Sequence, residues 1–145
     1  MEASIAKKLG GRRVLHAVVD TDLELAAIVR AGLPVGALDH LLTELTPEVA
    51  TQAEVYRVVG SARTLQRKRT AGVRLSVDES DRLARLARLV VRAEEALGDT
   101  RAARHWLATP NRALGGDVPL HLLDSDAGAL AVDRVLGRIE YGVYS

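Results

Sequence analysis

The sequence predicts an all-α protein: N-terminal helix-turn-helix-like helices followed by a C-terminal helical unit. Three observations carry this expectation. Apolar residues recur at three- and four-residue spacing through most of the chain, the period of one helix face. Runs of strict apolar–polar alternation, the mark of a half-buried strand, are scarce. Helix start and stop residues punctuate the periodic stretches, with a hydroxyl, carboxylate or proline before and glycine after.

Residues 1–21 carry no clear period. Gly10-Gly11 interrupts any helix there, and residues 14–19 read equally as a short strand, an arm or a helical turn. The expectation is an N-terminal arm, poorly anchored. Asp22 is placed to cap the first well-marked helix, with Leu23, Ala26, Ala27 and Arg30 at helical spacing and Gly32 as its stop. Pro34 opens the next, with Val35, Leu38, Leu41 and Leu42 along one side. Thr46, Pro47 and Glu48 then restart the chain as N-cap, first helical residue and first-turn acid.

Residues 51–60 form a short helix closed by Gly60, and a tight turn at Ser61 leads into a second over 62–70, stopped by Gly72. Two short helices around a glycine turn, the second rich in Arg, Thr and Gln, resemble a helix-turn-helix. Leu65 is expected to face inward, while Arg63, Thr64, Gln66, Arg67, Lys68 and Arg69 form the DNA-binding set. Two features depart from the common pattern. Tyr56 stands where a small alanine is usual, and the run from Gly60 to Thr64 is one residue short. Both alter the interhelix angle, and a helix pair that merely packs, with a solvated Arg face, stays the alternative.

Ser76-Val-Asp-Glu79 is a capping box. It opens the longest helix, about 21 residues, which ends at Gly98. Leu83, Leu86, Val90, Ala93 and Leu97 form its apolar stripe, with Arg85, Arg88 and Arg92 roughly opposite as a solvated face. Asp99 caps a shorter helix carrying Ala103, Trp106 and Leu107. Ser125 caps the last one, whose apolar face is read as Leu130, Val135, Leu136 and Ile139. Gly128 costs that helix up to about 1 kcal/mol against alanine, a cost explained if another backbone comes close.

Composition bounds the chemistry. A 145-residue chain with 48% apolar residues can build a packed interior, but aromatics make up only 3% of it, so each aromatic is notable. The absence of cysteine excludes disulfides and thiolate chemistry. His16 and Asp20 break the apolar run near the N-terminus, so neither a signal peptide nor a membrane span fits, and a cytoplasmic location is expected. The net charge of +1 hides a pattern. Residues 57–92 hold ten bases against three acids, while the stretches before and after each hold five bases against eight acids. A basic middle of this kind suits a polyanion. The four histidines lack metal-ligand spacing, no phosphate loop or nucleophile elbow is present, and the carboxylates fall on helix first turns. The chain is therefore read as no enzyme, with no catalytic, metal or cofactor-binding residues.

The last forty residues hold the only tryptophan and two of the three tyrosines. Pro110 opens a loop, Gly115-Gly116 allows backbone angles closed to other residues, and Pro119-Leu-His-Leu-Leu leads on to the last helix. Trp106-Leu-Ala-Thr-Pro-Asn-Arg-Ala-Leu-Gly-Gly, then Pro119-Leu-His-Leu-Leu, then Gly137-Arg-Ile-Glu-Tyr-Gly-Val-Tyr resembles the toxin-binding domain of Xre/MbcA/ParS-type antitoxins. The resemblance covers about 22–145. It implies a helix-turn-helix domain over 22–75 and a toxin-binding domain over 76–145. It also implies a cognate RES-type toxin that degrades NAD, and an antitoxin C-terminal domain covering its active-site cleft.

On that reading the toxin-binding set is Arg138, Glu140, Tyr141, Gly142, Val143, Tyr144 and Ser145. The tyrosines supply contact area with a polar tip. Arg138, Glu140 and the Ser145 carboxylate supply charges to pair across a cleft. The alternative for this end is folding back onto its own helices. Operator DNA and a homodimer complete the expected partners, the dimer seam lying either in the N-terminal helices or along the 76–97 stripe. A plain regulator with a C-terminal dimerisation domain is the competing function.

Overall fold

A computed structural model describes residues 1–45 and 52–142. The longest helix lies at its centre. This is α7 (Val77–Leu97), and around it are arranged α1 (Glu2–Lys8), α2 (Gly11–Leu15), α3 (Asp22–Ala31), α4 (Val35–Leu45), α5 (Gln52–Val59), α6 (Ala62–Ala71), α8 (Thr100–Leu107) and α9 (Asp126–Glu140). Two 3-10 turns, Arg112–Leu114 and Pro119–Leu122, link α8 to α9. No strand occurs among the described residues, as the spacing predicts.

The Ser76 hydroxyl accepts the Glu79 amide at 3.1 Å while Glu79 accepts the Ser76 amide at 2.8 Å, so both halves of the capping box form. The helix packs against α1, α3, α5, α8 and α9. Leu83, Leu86, Val90 and Ala93 are buried as expected, but so are Ala84, Ala87, Leu89 and Val91. The stripe is thus core, covered within one protomer. Being covered on several sides leaves α7 little solvated face, which corrects the reading of its arginines. Arg85 and Arg92 are largely buried in ion pairs, and Arg88 is exposed.

The N-terminal segment is not a loose arm. Ile5, Leu9, Leu15 and Val19 are all buried in the common core. Lys8 bridges Glu44 of α4 at 2.9 Å and Glu94 of α7 at 3.0 Å. Burial opposes its charge, but the two carboxylates outweigh burial and raise its pKa.

Two assignments at α3 also change. Thr21, not Asp22, is the N-cap. Its hydroxyl accepts the Glu24 amide at 3.2 Å and Glu24 accepts the Thr21 amide at 3.1 Å, a second capping box. Backbone amides, Asp20's first, hold the Glu24 carboxyl below its ordinary range. Leu25 and Ile28, rather than Leu23, lean on the core. Helix α4 buries Val35, Leu38, Leu41 and Leu42 as read. The assignments of Thr46, Pro47, Glu48 and Thr51 lie outside the described residues.

In α9 the buried face is Ala129, Val132, Val135 and Leu136, with Ile139 half-buried. Val135 and Leu136 are buried as read, but Leu130 is 48% exposed, and Ala129 and Val132 take its place on the face. Gly128 bears out the expected close approach: a Cβ there would lie 2.0 Å from the Leu122 carbonyl oxygen. The turn before α9 can tuck under the helix only because that atom is missing. Trp106 is half-buried against the core. The following loop closes on itself, Asn111 accepting the Ala113 amide through its side chain at 2.9 Å and the Gly116 amide through its carbonyl at 2.9 Å.

Candidate functional site

Helices α5 and α6 present the first surface. Val55, Tyr56, Val58 and Val59 anchor α5, and Leu65 anchors α6 in the core as expected. Ser61 caps α6 by accepting the Thr64 amide at 3.2 Å. Thr64 is half-buried, whereas Arg63, Gln66 and Arg67 are exposed. Among the described residues, neither Arg63 nor Arg67 has an ion pair.

Lys68 and Arg69 sit differently. Lys68 donates to Glu79 of α7. Burial works against the Glu79 charge, but the Lys68 hydrogen bond and the Ser76 amide overcome it and hold the carboxyl below its ordinary range. The Arg69 fork donates Nε to Asp39 Oδ2 at 3.2 Å and Nη2 to Asp39 Oδ1, while Nη1 donates to Gln66 at 2.6 Å. Asp39 is the main cause of its raised pKa. The hydroxyl of Tyr56 accepts from Arg69 Nη2 at 3.1 Å and from Gln52 Nε2 at 2.6 Å. Tyrosine at the usual alanine position therefore carries a polar tip to the rim, where it joins α5 to α6.

The end of α9 is the second surface. Arg92 donates Nε to Asp133 at 3.0 Å and Nη1 to the Glu140 oxygens at 3.1 and 3.2 Å. Its guanidinium lies across Gly137, where a Cβ would be 3.9 Å from Nη2. Burial works against the Arg92 charge, but these carboxylates raise its pKa. Glu140 is therefore paired with Arg92 within the chain while its residue stays exposed at the end of the helix. Arg134 and Arg138 remain exposed beside Tyr141, itself 80% exposed. With Gly137 they line a shallow hollow of about 370 Å³. Gly142 turns the chain in the left-handed region at φ 71°. Val143, Tyr144 and Ser145 lie outside the described residues. No cluster of three His, Asp or Glu side chains able to hold a metal occurs among the described residues.

Both halves of the chain match known domains. Residues 24–88 match the Antitoxin Xre-like helix-turn-helix domain, and residues 92–142 match the Antitoxin Xre/MbcA/ParS C-terminal toxin-binding domain. Antitoxin Xre of Yersinia enterocolitica is 36% identical over 121 residues, covering 81% of this chain and 78% of that protein. The chain belongs to the Xre antitoxin family. Antitoxin Xre of Photorhabdus laumondii is 34% identical over 123 residues, covering 83% of this chain and 81% of that one. A Prs ADP-ribosylating antitoxin of a Sphingobium species is 33% identical over 91 residues, 57% of each chain. The protein is thus the antitoxin half of a toxin–antitoxin system. Its matched toxin-binding segment begins at Arg92, the residue that clamps the end of α9, and runs through exposed Tyr141 to Gly142.

Sequence reasoning missed Asp39 and Arg92. Asp39 is thirty residues from its partner Arg69, and Arg92 is forty-one and forty-eight from its carboxylates, so no local pattern reveals them. Tyr56 did leave a signal, since it departs from the usual small residue.

Proposed function

We propose that this antitoxin neutralises an NAD-degrading, RES-type toxin by covering its active site with the end of α9 and residues 141–145. The observation carrying the proposal is Tyr141, a large side chain left 80% exposed at the end of the toxin-binding segment. Tyrosine and arginine are the residues most often central to tight protein contacts, and Arg134 and Arg138 flank it. NAD chemistry is supported by the Sphingobium relative, named for an ADP-ribosylating system, because ADP-ribosyl transfer consumes NAD. That name also supports a second reading, in which the cognate toxin transfers ADP-ribose to a protein. We further propose a cytoplasmic homodimer that represses its own operon through α5 and α6, with Arg63, Gln66 and Arg67 reaching the DNA.

The neighbouring open reading frame provides the test. It is expressed alone and with this chain, and intracellular NAD is measured alongside growth. The RES-type reading expects NAD to collapse without the antitoxin and recover with it. Growth arrest at undiminished NAD, with ADP-ribose found on a protein, would favour the transferase reading instead.

A further inference from the structure

Seven of the ten residues of α3 are apolar, yet none of the ten is buried. A helix apolar on most sides belongs inside something. Only Leu25 and Ile28 lean on the core. The stripe of Leu23, Ala26, Ala27 and Arg30 faces outward, and Leu23 is 79% exposed. Beside this stripe runs a groove of about 470 Å³ between α1, α3 and α7, floored by Ile5 and Ala84. Val77, another exposed apolar residue, lines it too.

The charges on α3 are ordered. Asp22 begins the helix and Arg30 is its last residue but one, and among the described residues neither forms an ion pair. They stand eight residues apart, about 12 Å along the axis. We propose that α3 packs antiparallel against α3 of a second copy of this chain, across a two-fold axis at Ala26. This seam rests on the homodimer reading above.

Four features point to a second copy rather than an unrelated partner. Antiparallel pairing about Ala26 sets Asp22 of each protomer against the opposite Arg30, so one arrangement satisfies both charges twice, as an isologous contact requires. Ala26 and Ala27 at the centre let the two axes approach closely. Leu23 of each protomer then has the other's groove beside it. The two helix dipoles also run in opposite senses, which is the favourable arrangement. The other expected seam, the stripe on α7, is already used within the protomer.

Sedimentation of the full chain from submicromolar to tens of micromolar tests the proposal, with thermal unfolding as the folding control. Wild type should be a dimer. Leu23→Glu and Ala26→Glu should each raise the dissociation constant at least tenfold without lowering the melting temperature of the protomer, since both positions face outward. Asp22→Arg and Arg30→Glu should each weaken the dimer, and the two together should restore it. A monomeric wild type would overturn the seam and the homodimer reading together. A wild-type dimer unmoved by Leu23→Glu would overturn the seam alone, and loss of toxin binding in that variant would assign the face to the toxin. Failure of the double charge swap to restore pairing would overturn the antiparallel arrangement.

Discussion

Gly128→Ala probes how the toxin-binding segment is held together. The new Cβ would lie 2.0 Å from the Leu122 carbonyl oxygen and 2.9 Å from its carbon. Both obstacles are backbone, so relief cannot come from a side-chain rotation. About 1 Å of separation is needed merely to reach 3.0 Å, a distance real Cβ contacts essentially never undercut. Overpacking of this kind costs about 1–3 kcal/mol, at times more. Alanine's higher helix propensity offsets up to about 1 kcal/mol. A net loss of about 1–2 kcal/mol follows, which in a 145-residue chain lowers Tm by about 2–8 °C.

Gly137→Ala is the matched control in the same helix, because its Cβ meets only Arg92 Nη2 at 3.9 Å, an ordinary contact. It should raise Tm by a few degrees through propensity alone. Circular dichroism melts of the two variants and wild type read the difference. A Gly128→Ala protein as stable as the Gly137→Ala protein would refute the packing argument.

Other consequences are as specific. Arg67→Ala should weaken binding to the antitoxin's own promoter and reduce the salt slope by about 0.9, one phosphate's worth, without changing Tm. Arg69→Ala should instead cost about 1 kcal/mol of stability, because Asp39 and Tyr56 lose their shared partner while Asp39 is partly solvated. Glu79 has a depressed folded pKa, so its stabilisation is full above the unfolded carboxylate pKa of about 4.3 and fades as pH falls through the folded value. The stability lost in Glu79→Gln, measured by urea unfolding, should accordingly be larger at pH 7 than at pH 3, and an equal loss at both would contradict the assignment. Arg92→Met should cost about 1 kcal/mol, its partners being partly solvated, and should speed amide exchange at residues 137–142.

How far the fold could be read ahead depended on element length. Helix α7 announces itself through a capping box, a glycine stop and six turns of consistent spacing. Helices α1 and α2 have seven and five residues, too few to show a period, and their anchoring through Ile5 and Leu9 is long-range packing. On α9 a bulky Leu130 drew the apolar face towards itself, although the core accepts Ala129 and Val132 because the 3-10 turn beneath them sits close. Leu23 misled in the same way, marking a face that the protomer does not bury. Helix α6 was legible as a basic helix after a glycine turn. Its division into free arginines and a lysine and arginine fastened to Glu79 and Asp39 was not, because each partner lies on another element. At the C-terminus the aromatic pattern drew notice to Tyr141, which is exposed among the described residues, whereas the pairing of Glu140 with Arg92 leaves no local mark.

The most direct test of the central claim is neutralisation by a chain lacking residues 141–145. The account predicts that the truncated protein melts within a degree or two of wild type, retains its promoter binding, and fails to rescue cells expressing the cognate toxin. A truncated chain that folds and still rescues growth at wild-type level would contradict it.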